Sequence, residues 1–182
     1  MQITKLSIDG LLVIEPKIFG DQRGFFYESW NQNKYAEAGL QESFVQDNIS
    51  FSQRGVLRGL HFQNPHPQGK LVSVISGEVL DAVVDLRTNS PTYGKHEKVI
   101  LSSENKKQFY VPPGFAHGFI VWSETALFAY KCTEYYHPES EKTLLWSDPD
   151  LGIDWFGSHK DLDPIVSDKD KKGLLLAEVG SI

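Results

Sequence analysis

Short runs of β-branched and aromatic residues alternate with polar positions along most of the chain, and glycine or proline separates the runs at short intervals. Such runs favour strands, and many short strands with frequent turns are typical of a β-sandwich or barrel. The pattern therefore predicts an all-β chain, with a hairpin turn at residues 75–78. The predicted strands cover residues 11–14, 25–30, 56–63, 71–75, 78–86, 98–101, 108–111, 118–122 and 126–132.

Helices are expected to be few and short. One is predicted over residues 33–40. Asn31 or Asn33 can cap its start, and Gly39 can end it. Prolines interrupt the last third of the chain, where one or two short helices are expected. No repeat, low-complexity tract or linker divides the sequence, so residues 1–182 are predicted to form a single domain.

The predicted strand over residues 78–86 carries two carboxylates on one of its faces. Asp81 and Asp85 alternate with apolar residues and share the same parity. This face either meets solvent or, in a barrel, lines an internal cavity. The pattern leaves both possibilities open.

Charge and composition exclude several classes of function. The net charge of −6 argues against non-specific nucleic-acid binding. The single cysteine, Cys132, excludes an internal disulfide and a cysteine-based zinc site. The chain lacks the run of about eighteen apolar residues needed for a membrane span, and its first residues lack a signal-peptide pattern. We expect a cytoplasmic protein with no nucleic-acid or membrane partner.

Arginine and histidine supply the candidate site residues. Three of the four arginines lie in the first 60 residues, and the planar arginine fork suits phosphate. His61 and His117 each lie beside glycine in apolar, strand-like sequence. A buried histidine needs partners for both ring nitrogens, so each is either a satisfied core residue or part of a site. The other histidines lie in polar or proline-rich sequence and are expected in loops or at the surface: His66, His96, His137 and His159.

Arg58 and His61 pose a geometric problem. Both lie in the predicted strand over residues 56–63, but their odd spacing puts them on opposite faces of a regular strand. For both to face one cavity, the strand must bulge or twist between them. Gly59 is the residue that would permit this, so we hypothesise an irregularity there.

Residues 112–117, PPGFAH, fit the pattern Pro-x-Gly-x-x-His, which resembles the second half of the cupin barrel signature. The first cupin half usually carries His-x-His and a glutamate that bind a metal. The corresponding place here resembles His61-Phe62-Gln63, with Lys70 downstream. One imidazole, an amide and an ammonium make a poor metal site, because a protonated lysine repels a cation. We therefore expect no bound metal.

A closer resemblance covers nearly the whole chain in seven ordered blocks. They are EPKIFGDQRGFF (15–26), FVQDN (44–48), VLRGLHFQ (56–63) with QGKLV (68–72), GEV (77–79) with DAVVDLR (81–87), PGFAHGF (113–119), YK (130–131) with YY (135–136), and SDKD (167–170). Together they resemble the dTDP-4-dehydrorhamnose 3,5-epimerase family. A single block is weakly specific, whereas seven in order are very specific.

This resemblance implies a cupin-like jelly-roll barrel or sandwich, with a few short helices mostly toward the two termini. It implies a cofactor-independent isomerase that converts dTDP-4-dehydro-6-deoxy-D-glucose into dTDP-4-dehydro-L-rhamnose by inverting carbons 3 and 5, on the route to dTDP-L-rhamnose. It also implies a homodimer whose subunits share site residues.

The resemblance further assigns catalytic roles. His61 would be the base, held by Asp170, and Tyr130 would be the acid on the opposite face of the sugar. Matching the Ser-x-Lys-Asp pattern of the family selects Asp170 rather than Asp168. Lys70 would steady the enolate oxygen as an ammonium.

Substrate-binding residues are implied in the same way. Arg58 resembles the arginine that binds the pyrophosphate, and His117 is expected to bind sugar or diphosphate. Asp81 is expected to orient Lys70 or a ring nitrogen. Three residues match family positions near the nucleotide end of the site, in part from the partner subunit: Phe19, Arg23 and Glu28.

Parity adds three further candidates. Gln46 and Asn48 share parity and can face one cavity, where sugar or phosphate contacts are expected. Tyr136 lies six residues after Tyr130, so both would point to one side of a straight strand. Tyr136 could then stack on or hydrogen-bond with the nucleotide.

Three alternatives remain open. A related 5- or 3-epimerase or a 3,4-ketoisomerase would share much of the barrel. A non-catalytic sugar-binding barrel would bind ligand without proton exchange. A metal-dependent cupin would contain iron, zinc or manganese, which elemental analysis would detect.

Overall fold

The computed structural model describes residues 1–180 as two large sheets packed face to face, a small separate hairpin and a short α-helix. The strands are β1 Gln2–Lys5, β2 Leu12–Glu15, β3 Phe19–Asp21, β4 Gly24–Phe26, β5 Gln46–Gln53, β6 Val56–Gln63, β7 Lys70–Ser76, β8 Glu78–Asp85, β9 His96–Ser102, β10 Gln108–Val111, β11 Phe115–Val121, β12 Thr125–Cys132, β13 Glu141–Thr143 and β14 Ile165–Val166. The helical segments are α1 Gln32–Glu37 and the 3₁₀ turns Pro138–Ser140, Asp170–Lys172 and Leu176–Glu178.

The first sheet has the strand order β1-β2-β10-β7-β12-β5, and the second has the order β13-β6-β11-β8-β9. All pairs within these orders are antiparallel, and β14 adds to β6 in parallel. The predicted all-β jelly-roll sandwich with few short helices is confirmed. Within the described residues, no helix is long and apolar enough to cross a membrane.

Three apolar clusters hold these layers together. One lies between the two sheets and includes Val72, Phe109 and Phe119. A second covers the outer face of the second sheet, where C-terminal residues such as Trp155 pack on it. The third lies under α1, where Tyr35 packs on the outer face of the first sheet. The second sheet is therefore buried on both faces. The alternation of apolar and polar residues predicts burial of only one face of a strand, so it did not indicate this.

Burial on both faces settles the environment of the carboxylates on β8. Asp81 and Asp85 are both fully buried, so the possibility that they face solvent is wrong. Asp85 accepts hydrogen bonds from Arg87, Ser90 and Thr92, which fix the loop after β8. Asp81 instead faces the interior between the sheets.

The helix begins and ends close to its predicted position. The Asn31 side chain accepts a hydrogen bond from the Lys34 amide, which caps α1 at its start. The chain leaves the helix at Ala38, and Gly39 follows with a φ of +100°. The cap and the glycine are thus confirmed, although the helix is shorter than predicted.

Two predicted elements are wrong. Residues 75–78 do not form a hairpin turn, because β7 and β8 belong to different sheets. Gly77 has a φ of +88°. This backbone conformation favours glycine both in a hairpin turn and at a corner between two sheets, so the glycine does not distinguish them. The strand predicted over residues 25–30 ends at Phe26. Strand β5 was not among the predicted strands, although its residues alternate between exposed and partly buried positions.

Strand β6 changes the parity of its side chains midway. Leu57 and Leu60 both pack in the cluster outside the second sheet, although their spacing is odd. Arg58 and His61 both line the interior cavity described below. The register with β11 shifts at the same place, and the Gly59–Leu60 peptide bond is cis. The irregularity hypothesised at Gly59 is confirmed.

Gly59 is the residue that the close approach of β6 and β11 requires. Its φ is +109°, and an added Cβ would lie 2.6 Å from both the Gly118 Cα and the His117 carbonyl oxygen. A Cβ on Gly118 would lie 2.5 Å from the Arg58 carbonyl oxygen. Two glycines therefore permit the main chains to meet where the parity changes.

Replacing Gly59 with alanine should lower the free energy of unfolding by about 2–4 kcal/mol, because the methyl group meets main-chain atoms and the φ is unfavourable. Urea unfolding measures the loss. Gly39→Ala is the matched control, since its φ is also positive but no heavy atom beyond its neighbours lies within 4 Å of the added Cβ. Its cost should be about 1–2 kcal/mol. Equal losses at both positions would contradict this steric explanation.

Candidate functional site

A cavity of about 190 Å³ lies between the two sheets. The second sheet contributes β6 and β11, and the first contributes β5, β7 and β12. Five expected site residues therefore meet in one place although they come from four strands. The lining residues are Ser50, Arg58, His61, Lys70, His117, Gly118, Phe119, Phe128 and Tyr130.

His61 contacts the expected carboxylate. Its Nε2 lies 2.6 Å from Oδ1 of Asp170, which is 3% exposed. Burial alone would raise the pKa of the Asp170 carboxyl, but hydrogen bonds from His61, Ser167 and Gly59 hold this pKa below its ordinary value. Asp168, by contrast, has a side chain that is 94% exposed. The pairing predicted from the family pattern is thus the one that the structure forms.

An ionised Asp170 determines which ring nitrogen of His61 can act as a base. A carboxylate only accepts hydrogen bonds, so Nε2 carries the proton and donates it. This leaves Nδ1 as the nitrogen with a free lone pair. The arrangement can therefore remove a proton at Nδ1 and stabilise the resulting imidazolium.

A second histidine–carboxylate pair lies beside the first. His117 pairs with His61 across β11 and β6, and its Nε2 lies 2.9 Å from each carboxylate oxygen of Asp81. Burial raises the pKa of Asp81, and His117 and Lys70 oppose this rise. Of the two partners expected for Asp81, the contact is with the ring nitrogen.

The first sheet places Lys70 and Tyr130 across the cavity from these histidines. They lie on the neighbouring strands β7 and β12, where Lys70 pairs with Cys132 and Tyr130 pairs with Val72. Burial lowers the pKa of Lys70, although Glu141 and other acidic groups oppose this. Burial raises the pKa of Tyr130, so its phenol keeps its proton and can serve as an acid.

Arg58 lies at the exposed edge of the cavity. Its Nε donates a hydrogen bond to Ser52 Oγ on β5, at 3.0 Å. Arg58 therefore bridges the two sheets at the mouth. Its Nη2 also donates to the Phe51 carbonyl oxygen at 3.5 Å, and Nη1 can meet an anion.

Gln46, Asn48 and Tyr136 form a group near the end of β12. Gln46 Nε2 donates to Asn48 Oδ1 at 3.1 Å, which agrees with their shared parity. Gln46 Oε1 accepts from the Tyr136 amide at 2.9 Å. The expectation that Tyr136 continues the strand of Tyr130 is wrong, because β12 ends at Cys132. The chain turns there and the Thr133 amide bonds to Gly69 instead.

Three expected site residues lie on exposed segments, apart from the interior cavity of their own chain. Phe19 is 53% exposed on the β3–β4 hairpin. Arg23 in the same hairpin has a side chain that is 84% exposed and bonds to Asp21 at 2.6 Å. Glu28 accepts hydrogen bonds from Asn31 and Lys34. Whether these residues reach a site in a partner subunit stays a prediction.

The structure adds three polar residues that the sequence analysis missed. Ser50 shares parity with Gln46 and Asn48, so the alternation of β5 could have identified it. Glu141 accepts hydrogen bonds from Tyr136 and Lys169. Glu141 and Lys169 had no comparable signal, because nothing local in the sequence relates β13 to the segment that carries Lys169 and Asp170.

Among residues 1–180, no group of three or more His, Cys, Asp or Glu side chains is arranged to hold a metal ion. The absence of a metal or cofactor from the working protein stays a prediction.

Comparisons with known proteins agree with the resemblance seen in the sequence. The family model described as dTDP-4-dehydrorhamnose 3,5-epimerase matches residues 5–178. The chain is 53% identical over 174 residues to the dTDP-4-dehydrorhamnose 3,5-epimerase of Methanothermobacter thermautotrophicus, covering 96% of this chain and 94% of the relative.

Solved structures are similar in the same way. A dTDP-6-deoxy-D-glucose-3,5-epimerase from Legionella pneumophila, in complex with dTDP-4-keto-L-rhamnose, matches with a TM-score of 0.92 and 54% identity, covering 98% of this chain and 94% of that one. A 3′-monoepimerase from Streptomyces bikiniensis, in complex with dTDP-quinovose, matches with a TM-score of 0.88 and 35% identity, covering 94% and 86%. The fold is thus common to single and double epimerases.

The contact between His61 and Asp170 predicts the tautomer of the neutral imidazole. Nitrogen-15 NMR should show His61 with a protonated Nε2 and an unprotonated Nδ1, because the carboxylate accepts from Nε2. Asp170→Asn should change both ring resonances, whereas Asp168→Asn, two residues away and exposed, should change neither. A protonated Nδ1 in the unsubstituted protein would contradict the arrangement.

Proposed function

The chain belongs to the dTDP-4-dehydrorhamnose 3,5-epimerase family, and from this premise we propose that it converts dTDP-4-dehydro-6-deoxy-D-glucose into dTDP-4-dehydro-L-rhamnose. It is an isomerase that inverts carbons 3 and 5 of the sugar. The observation that carries the assignment to this site is the cavity between the sheets. His61, which is paired with Asp170, lines it from the second sheet, and Tyr130 lines it from the first.

The chemistry requires a base and an acid on opposite sides of the sugar. Carbons 3 and 5 both flank the carbon-4 ketone, so removal of either hydrogen as a proton leaves an enolate. Return of a proton from the same side restores the original configuration, and return from the other side inverts the carbon. A site with one group on each sheet meets this requirement.

In the proposed step, His61 Nδ1 takes a proton from the ring carbon, and the electron pair moves into the enolate. Tyr130 then gives its phenolic proton to the same carbon from the opposite side. Lys70, as an ammonium, stabilises the negative enolate oxygen between these events. One proton is removed and one is added, so the step needs neither oxidant nor reductant. Solvent returns the proton to Tyr130 and takes the other from His61.

Cavity size suggests how the rest of the substrate lies. Ligand pockets typically measure about 300–1,000 Å³, and the cavity here measures about 190 Å³. We propose that it holds the hexose, while the diphosphate lies beside Arg58 and the nucleoside extends toward Tyr136. Gln46, Asn48 and His117 are proposed contacts along the same path.

Exposed apolar side chains support a proposed homodimer. Phe25 and Phe26 on the β3–β4 hairpin are 61% and 65% exposed. On the outer face of the first sheet, beyond the part that α1 covers, Ile49 and Phe51 are 68% and 62% exposed. Apolar patches of this kind mark protein interfaces. A second copy of the chain would cover them, and its hairpin would bring Phe19 and Arg23 to the nucleotide.

A cytoplasmic location also stays a prediction.

Proton exchange tests the proposed reaction. In deuterated water, substrate incubated with the protein should acquire deuterium at both carbon 3 and carbon 5, as read by NMR. His61→Ala should slow exchange at both carbons by about 10²–10⁴-fold, with little change in dTDP affinity. His96→Ala, which removes an imidazole outside the cavity, is the control.

Each rival function gives a distinct exchange result. Deuterium at only one carbon would identify a single epimerase, as in the Streptomyces relative. No exchange at either carbon, with dTDP still bound, would identify a non-catalytic sugar-binding barrel.

Mixing two inactive variants tests the sharing of site residues between subunits. If Arg23 completes the site of the partner, dimers of His61→Ala with Arg23→Ala chains contain one intact site. After subunit exchange at equal amounts, about a quarter of all sites should be intact, so activity should return to about a quarter of the original. If each chain builds its own site, no activity should return. Light scattering of the unsubstituted protein reports the dimer directly.

A further inference from the structure

Gln63 is a buried amide whose hydrogen bonds all go to the main chain of two loops. It is the last residue of β6, is 4% exposed and lies two residues after His61. Its Nε2 donates to the His66 carbonyl at 2.7 Å and to the Tyr135 carbonyl at 3.2 Å. Its Oε1 accepts from the His137 amide at 2.9 Å. One side chain thus holds the main chain on both sides of Tyr136.

The segment that Gln63 holds belongs to neither a strand nor a helix. It lies between the end of β12 at Cys132 and the 3₁₀ turn at Pro138–Ser140. Tyr136 itself is 49% exposed, so burial of its ring does not fix its position. Its amide and hydroxyl bond to Gln46 and Glu141. Of these three partners, Gln63 is the one whose side chain is buried and bonds to the main chain of both neighbours of Tyr136, namely Tyr135 and His137.

We propose that Gln63 is a positioning residue that sets Tyr136 against the nucleotide of the substrate. This inference rests on the proposed function, in which Tyr136 contacts the nucleoside. Because Gln63 and His61 lie on the same strand, the amide also fixes the nucleotide end of the site relative to the proposed base. Gln63 touches neither the reacting carbons nor the nucleotide, and it acts through the main chain of residues 135–137.

A double-mutant cycle on dTDP binding tests this role. Gln63→Leu has a similar size but loses all three hydrogen bonds. It should raise the dissociation constant for dTDP and the KM for the sugar nucleotide by about tenfold, a typical coupling for groups in one network, with kcat changed less than about twofold. In a Tyr136→Ala background, the same substitution should change the dissociation constant less than about twofold, because the side chain it positions is gone.

Gln68→Leu is the matched control. Its Nε2 donates to the Glu134 carbonyl at 2.8 Å, so the change removes one amide bond to the same segment, farther from Tyr136. It should leave dTDP binding within about twofold of the original. If Gln63→Leu does not fold, as judged by thermal melting, Gln63→Asn replaces it. That side chain keeps the amide but is one methylene too short to make all three contacts.

The outcomes separate this inference from the proposed function. An equal effect of Gln63→Leu with and without Tyr136 would overturn the inference, as would a loss confined to kcat. So would unchanged dTDP binding by either Gln63 variant. Deuterium exchange by the unsubstituted protein tests the proposed reaction independently. It can succeed or fail whatever Gln63 does to dTDP binding.

Discussion

The site depends on the change of parity at Gly59. Side chains of a regular strand alternate between its faces, so Arg58 and His61 would point to opposite sides of the second sheet. At Gly59 the φ is positive and the register with β11 shifts. As a result, Leu57 and Leu60 both pack outside the sheet while Arg58 and His61 both face inward. The glycine pair Gly59 and Gly118 makes this possible because a Cβ on either would meet main-chain atoms.

The two sheets supply complementary groups to one cavity. The second sheet carries His61 and His117, and each is held at Nε2 by a buried carboxylate. The first sheet carries Lys70 and Tyr130, whose pKa values burial moves in opposite directions. Because the first sheet faces the second across the cavity, the imidazole and the phenol lie on opposite sides of it. Inversion of a carbon requires this separation of base and acid, and a single strand could not provide it.

Burial makes each carboxylate near the cavity depend on its partners. An unpaired charge between two apolar layers would be strongly unfavourable, so each carboxylate near the cavity is hydrogen-bonded. Asp170 receives bonds from His61 and Gly59, and Asp81 contacts His117. Gln63 follows the same rule at the end of β6, where its amide satisfies main-chain groups of two loops. The same contacts that permit burial therefore also orient the side chains.

The sequence by itself determined the strand-rich pattern, the cap of the helix at Asn31, the glycine at the irregularity of β6 and, through ordered motifs, the family and its expected residues. These features are local, because alternation, caps and motifs depend on neighbouring residues. Only the tertiary structure decided that β7 and β8 enter different sheets, that Asp81 and Asp85 are buried, and that β12 ends before Tyr136. It also brought Glu141, Lys169 and Gln63 beside the site. Those outcomes depend on which strands pack together, and contacts between residues far apart in the chain leave no periodic signal in the sequence.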